Sequence, residues 1–153
     1  MKLRAHDKCI LNLIATTKSE GGRYYDFEAL LEWYGKWSRS GILVQSWATN
    51  KHGMDIEAYS FLDSEDVLLF LDYIVAKFKH MDEHKANFLA FELYFLIPET
   101  EIEERRKKEK LFFTLRKADK ANRSRKVSMY VKSREVLQEL IRKDVIKLIK
   151  EQF

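Results

Sequence analysis

The apolar positions along the chain fall into short blocks, and their spacing changes character from block to block. Cys9–Thr16 is an apolar run with little polar interruption, the pattern of a buried β-strand. Thr17–Tyr25 is polar and carries the breaker pair Gly21-Gly22, which predicts a loop. Asp26 is placed to cap a helix in which Phe27, Leu30, Leu31, Tyr34 and Trp37 recur at helical spacing, with Ser38 to Gly41 as its end. Ile42–Thr49 and Met54–Leu62 then read as two strands joined by Asn50-Lys51-His52-Gly53, a connection suited to a hairpin. Ser64 can cap a second helix, with Glu65 and Asp66 in its first turn and Val67, Leu68, Leu71, Ile74, Val75 and Phe78 as its stripe. Phe88–Ile97 is a fourth strand stopped by Pro98.

The resulting order, β-α-β-β-α-β, predicts an α+β protein with a ferredoxin-like antiparallel sheet and two helices on one face. Residues 1–98 would form that domain. Residues 99–153 would be a basic, mainly helical extension packed on the same core. Within it, Glu99–Lys117 is expected as a helix and Ala118–Arg125 as a polar loop. Lys126–Lys132 is expected as a short fifth strand, because Val127, Met129 and Val131 alternate. Ser133–Phe153 is expected as a helix capped by Ser133, with Val136, Leu137, Leu140, Ile141, Val145, Leu148 and Ile149 as its apolar stripe.

Alternation assigns each strand residue to one face of the sheet. Leu11, Leu13, Ile56, Ala58, Leu89, Phe91, Leu93 and Phe95 would face the helices. Ile10, Ile14, Trp47, Tyr59, Phe61, Phe88 and Tyr94 would form a second apolar face. Such a surface is either covered, by the last helix or by a second copy in a homodimer, or used. In the second case Trp47, Tyr59, Phe61 and Tyr94 would stack bases, as in RNA-recognition modules of this topology. The chain lacks the Lys/Arg-Gly-aromatic context of those modules.

Charge changes the picture more than composition does. Residues 1–103 carry 11 Lys/Arg against 17 Asp/Glu, whereas residues 104–134 carry 13 against 3. An acidic body with one concentrated basic segment points to an anionic partner. Arg105, Arg106, Lys107, Lys108 and Lys110 fall on the expected helix, and Arg116, Lys117, Lys120, Arg123, Arg125 and Lys126 in and around the following loop. Clustered cations are what phosphate neutralisation needs. The run is therefore the candidate nucleic-acid contact, with a solvated charged face, an acidic protein partner or a membrane surface as the competing readings.

Other motifs carry less. His80-Met81-Asp82-Glu83-His84 matches H-x-x-E-H, the zinc motif of one metallopeptidase class, so His80, Glu83 and His84 are the metal candidates. No third-ligand motif follows, and no metal or cofactor is expected. Cys9 is the single cysteine, which precludes an internal disulfide and is expected to be buried. Gly21-Gly22-Arg23 lacks the spacing of a phosphate loop, and His6, Asp7 and His52 are scattered. No apolar run reaches the roughly 20 residues of a membrane span, and Met1 to Asp7 lead into no secretory apolar segment. The expectation is a cytoplasmic, non-enzymatic protein that binds DNA or RNA. A protein-interaction module and a metal-dependent nuclease or hydrolase are the alternatives.

Overall fold

A computed structural model describes residues 3–40 and 64–152, and every regular element among them is helical. In chain order these are α1 (Ala5–Thr16), α2 (Tyr25–Ser40), α3 (Ser64–Lys79), α4 (Lys85–Phe91), α5 (Ile102–Leu115) and α6 (Arg123–Gln152). A 3-10 turn, Asp82–His84, precedes α4, and a π turn, Glu92–Leu96, continues it.

The ferredoxin-like α+β reading is therefore overturned. Cys9–Thr16 lies in α1, Phe88–Ile97 in α4 and its π turn, and Lys126–Lys132 in α6. The expected strands Ile42–Thr49 and Met54–Leu62, with their hairpin and with Trp47, Tyr59 and Phe61, lie outside the described residues. The two-faced sheet goes with the strands: Ile10, Ile14 and Phe88 are all buried in helical packing.

The physical reasons are local. In α1 the buried positions include Ile10, Leu11, Ile14 and Ala15, which is helical spacing, while Leu13 is 48% exposed. Cys9 falls off that stripe and is exposed rather than buried. Phe88 to Phe91 are buried without interruption, followed by Leu93, Phe95 and Ile97. A segment apolar on all sides shows no period, and a fully buried helix then resembles a buried strand. Ser133 does not cap α6, which starts ten residues earlier; it is a buried residue inside the helix.

The chain divides into two compact units, residues 1–75 with 141–153, and residues 76–140. The boundaries fall inside α3 and α6. In the first unit the core is built by Leu11 and Ile14 of α1, Leu30 and Leu31 of α2, Leu68 and Leu71 of α3, and Ile141 and Val145 of α6. Gly21 and Gly22 both have positive φ, 86° and 76°, and make the turn between α1 and α2 in a conformation glycine adopts without penalty. Arg142 donates to the Ala15 carbonyl in the last turn of α1 at 2.8 Å and lies 3.8 Å from the Tyr24 ring centroid. Lys8 donates to the Gln152 carbonyl at 3.0 Å. Asp7, fully buried, accepts two hydrogen bonds from Arg4 at 3.0 and 3.1 Å.

Tyr34 donates from its hydroxyl to the Asp72 carboxylate at 2.7 Å, joining α2 to α3. Burial first, and then this carboxylate, push the phenol well above its usual range. The folded state therefore keeps a proton that the unfolded chain releases near pH 10. The resulting stability is complete below pH 10 and is lost as pH rises beyond it. Tyr34→Phe should lower the unfolding free energy by about 1–2 kcal/mol in urea titrations at neutral pH. It should also make stability fall less steeply above pH 10 than in the parent.

Candidate nucleic-acid interface

The basic segment lies in the second unit, on α5, the turn after it and the start of α6. Glu103 and Glu104 in the first turn of α5 complement the helix dipole. Phe112 is the buried residue of that helix. It packs with Leu89 and Ala90 of α4, flanked by Phe113 at 5.1 Å and Tyr130 at 6.2 Å between ring centroids. Burial pushes the Tyr130 phenol up, against the opposing charges of Arg134 and Arg105.

α5 ends in a Schellman turn. The Lys117 N–H donates to the Thr114 carbonyl at 3.1 Å and the Ala118 N–H to the Phe113 carbonyl at 2.8 Å, with Lys117 at φ +56°. Asn122 then caps α6, its Oδ1 accepting from the Arg125 backbone N–H at 2.8 Å. The first turn of α6 carries no acid and begins Arg123-Ser124-Arg125.

The eleven cations singled out by sequence divide into two groups. Four are engaged within the fold. Arg105 donates to the carbonyls of Leu93 and Ile97 at 2.8 and 2.9 Å, satisfying backbone acceptors around the π turn. Lys108 pairs with Glu92 at 2.7 Å and stands 3.7 Å from Glu104. Arg116 donates to Asn87 and Ser133, and the Lys126 ammonium lies 5.2 Å from the Phe113 ring centroid. The other seven are Arg106, Lys107, Lys110, Lys117, Lys120, Arg123 and Arg125. Their side chains are exposed, and none pairs with another described residue. Arg106 shares a shallow depression of about 260 Å³ with Glu99 and Glu109, so its surroundings are the least positive of the seven.

Tyr94, the one proposed stacking residue within the described part, is 40% exposed. One ring face already carries the Arg134 guanidinium at 3.8 Å from the centroid, and Phe95 meets the ring in a T-shaped contact at 4.6 Å. The metal candidates are not brought together on one helix. α3 ends at Lys79, the backbone at Met81 is extended, and His84 belongs to the separate 3-10 turn. His84 packs on Phe78 at 5.9 Å and stands 3.9 Å from the mostly exposed Glu83. Among the described residues no group of three or more His, Cys, Asp or Glu side chains is arranged to hold a metal ion. No helix among them is long and apolar enough to cross a membrane.

The chain matches no known protein-family model, no curated protein and no solved structure.

The two groups of cations should separate in stability measurements. Arg105→Ala should cost about 2 kcal/mol, because it leaves two backbone acceptors without their charged donor. Arg106→Ala, one residue along, should change stability by less than about 0.5 kcal/mol. Urea denaturation of the two variants beside the parent checks the contrast, and equal losses would contradict the division.

Proposed function

We propose that this is a non-enzymatic, cytoplasmic nucleic-acid-binding protein whose contact surface is the basic corner formed by α5, the turn after it and the first turn of α6. The observation that supports the reading is the set of seven exposed cations from Arg106 to Arg125, none of which pairs with another described residue. Lys107 and Lys110 are one helical turn apart, as are Arg106 and Lys110, so these three share one side of α5. Lys117, Lys120, Arg123 and Arg125 continue the positive surface through the turn and into α6. The N-terminus of α6 adds the positive end of its dipole beside Arg123 and Arg125. Cations there oppose the dipole, at about 0.3–1 kcal/mol each, and a phosphate would relieve that repulsion. A polyanion with evenly spaced phosphates suits a surface of this kind, and such contact is sequence-independent in its main term.

The proposed contacts are restricted to these seven, because Arg105, Lys108, Arg116 and Lys126 are engaged within the fold. The experiment compares binding of duplex and single-stranded oligonucleotides by the parent and by Ala variants at Lys107, Lys110, Lys117 and Arg123. Affinity should fall steeply between 50 and 200 mM salt for the parent. Each phosphate contact removed should flatten the slope of log K against log salt by about 0.7–0.9. A slope untouched by the combined substitution would reject the surface. Tight, salt-resistant binding to an acidic protein, with none to either polynucleotide, would favour the interaction-module reading instead.

A further inference from the structure

The second unit contains a cavity of about 420 Å³ lined by Asn87 of α4, Arg116 at the end of α5, and Met129, Lys132, Ser133 and Val136 of α6. Its polar chemistry follows from what Arg116 can do. A guanidinium only donates hydrogen bonds, so its partners must turn acceptors towards it. Asn87 accordingly presents Oδ1 to Nη2, which leaves its amide N–H2 as a donor. Ser133 accepts from Nε at 3.2 Å through Oγ, which leaves its hydroxyl hydrogen. Arg116 retains the donors of Nη1, and Lys132 is exposed and unpaired among the described residues. Among the described residues no carboxylate lines the cavity. The donors that remain are the Asn87 amide N–H2, the Ser133 hydroxyl hydrogen, Nη1 of Arg116 and the Lys132 ammonium, and two of these four belong to cationic side chains.

The guanidinium is also held in place. Asn87 and Ser133 are both buried, and the group stands 6.0 Å from the ring centroid of the buried Phe112. The edge of the guanidinium that includes Nε is engaged by these two residues, and Nη1 stays open for an oxyanion. Met129 and Val136 supply an apolar wall on which a group attached to that oxyanion can rest.

We infer that this cavity is a binding pocket for a phosphate group, with Arg116 and Lys132 supplying charge and Asn87 and Ser133 supplying directed neutral donors. A tetrahedral oxyanion offers acceptors in several directions, which matches donors arriving from three different helices. The phosphate could be carried on the end of an oligonucleotide or on a free phosphomonoester, and the two sources are separable. The pocket does not depend on the seven surface cations, and either can stand without the other.

The test uses the full chain and inorganic phosphate, titrated calorimetrically at constant ionic strength with chloride as balancing anion. Saturable binding is expected in the parent. Asn87→Asp is nearly isosteric, but it places a carboxylate against Arg116 and in the path of the anion. It should weaken phosphate binding about tenfold or more, as should Lys132→Gln. Lys132 is exposed, so its substitution carries the test even if the Asn87 variant folds poorly.

A second arm compares a 5′-phosphorylated oligonucleotide with its 5′-hydroxyl counterpart. Preference for the phosphorylated form, lost in Lys132→Gln, assigns the pocket to a nucleic-acid end. Equal binding of the two, with phosphate binding retained, assigns it to a free phosphomonoester. Phosphate binding with no affinity for either oligonucleotide would uphold the pocket while removing the nucleic-acid surface. Absence of saturable phosphate binding in the parent, or equal affinity in parent and both variants, overturns the proposal whatever the oligonucleotides do.

Discussion

Phe112 anchors α5 to the second unit, and the basic surface depends on that anchorage. A helix of this length is marginal in water by itself, and α5 spends most of its circumference on charged side chains. Burying one phenylalanine contributes about 1.5–3 kcal/mol, a modest sum for holding a helix. Arg105 adds its hydrogen bonds to the carbonyls of Leu93 and Ile97, and Lys108 adds its pair with Glu92. All three tether α5 to the same neighbouring segment, α4 and its π turn. The arrangement confines docking to one side and frees Arg106, Lys107 and Lys110 from structural duties.

The same division explains what could be read from the sequence. The helices over residues 27–37 and 64–78 were legible because their apolar residues recur with a clean helical period against polar neighbours. The α4 segment was not. Asn87 to Phe91 are buried consecutively, so the period that would mark a helix is erased. α1 offered a weaker version of the same ambiguity: Ile10, Leu11, Ile14 and Ala15 form a stripe, but a short apolar run with little polar interruption also fits a buried strand. At 126–132 the alternation of Val127, Met129 and Val131 was accidental, and Val127 is largely exposed on a continuous helix. Ser133 looked like a cap because serine precedes an apolar stripe; in the fold it accepts from Arg116 instead.

At the candidate site, charge density was legible and charge availability was not. Sequence supplies the number of cations but not their partners, which come from elements distant in the chain. Arg116 meets Asn87 twenty-nine positions upstream, and Lys108 meets Glu92 sixteen positions away. The donor-lined cavity was illegible for the same reason, since nothing in the spacing of Asn87, Arg116 and Ser133 marks them as neighbours. Of the expected stacking residues only Tyr94 lies among the described residues, and one face of its ring carries the Arg134 guanidinium, a partner that its place in the sequence does not announce.

The left-handed conformation of Lys117 bears on what kind of basic segment this is. The Schellman turn fixes the point from which its flexible stem departs, at a backbone geometry that a non-glycine residue holds only when its surroundings impose it. Cations in a floppy tail must surrender main-chain freedom when they meet an anion, at about 1–2 kcal/mol for each residue ordered. A lysine mounted on a rigid corner has already given up that freedom during folding, and only its rotamers remain to be fixed.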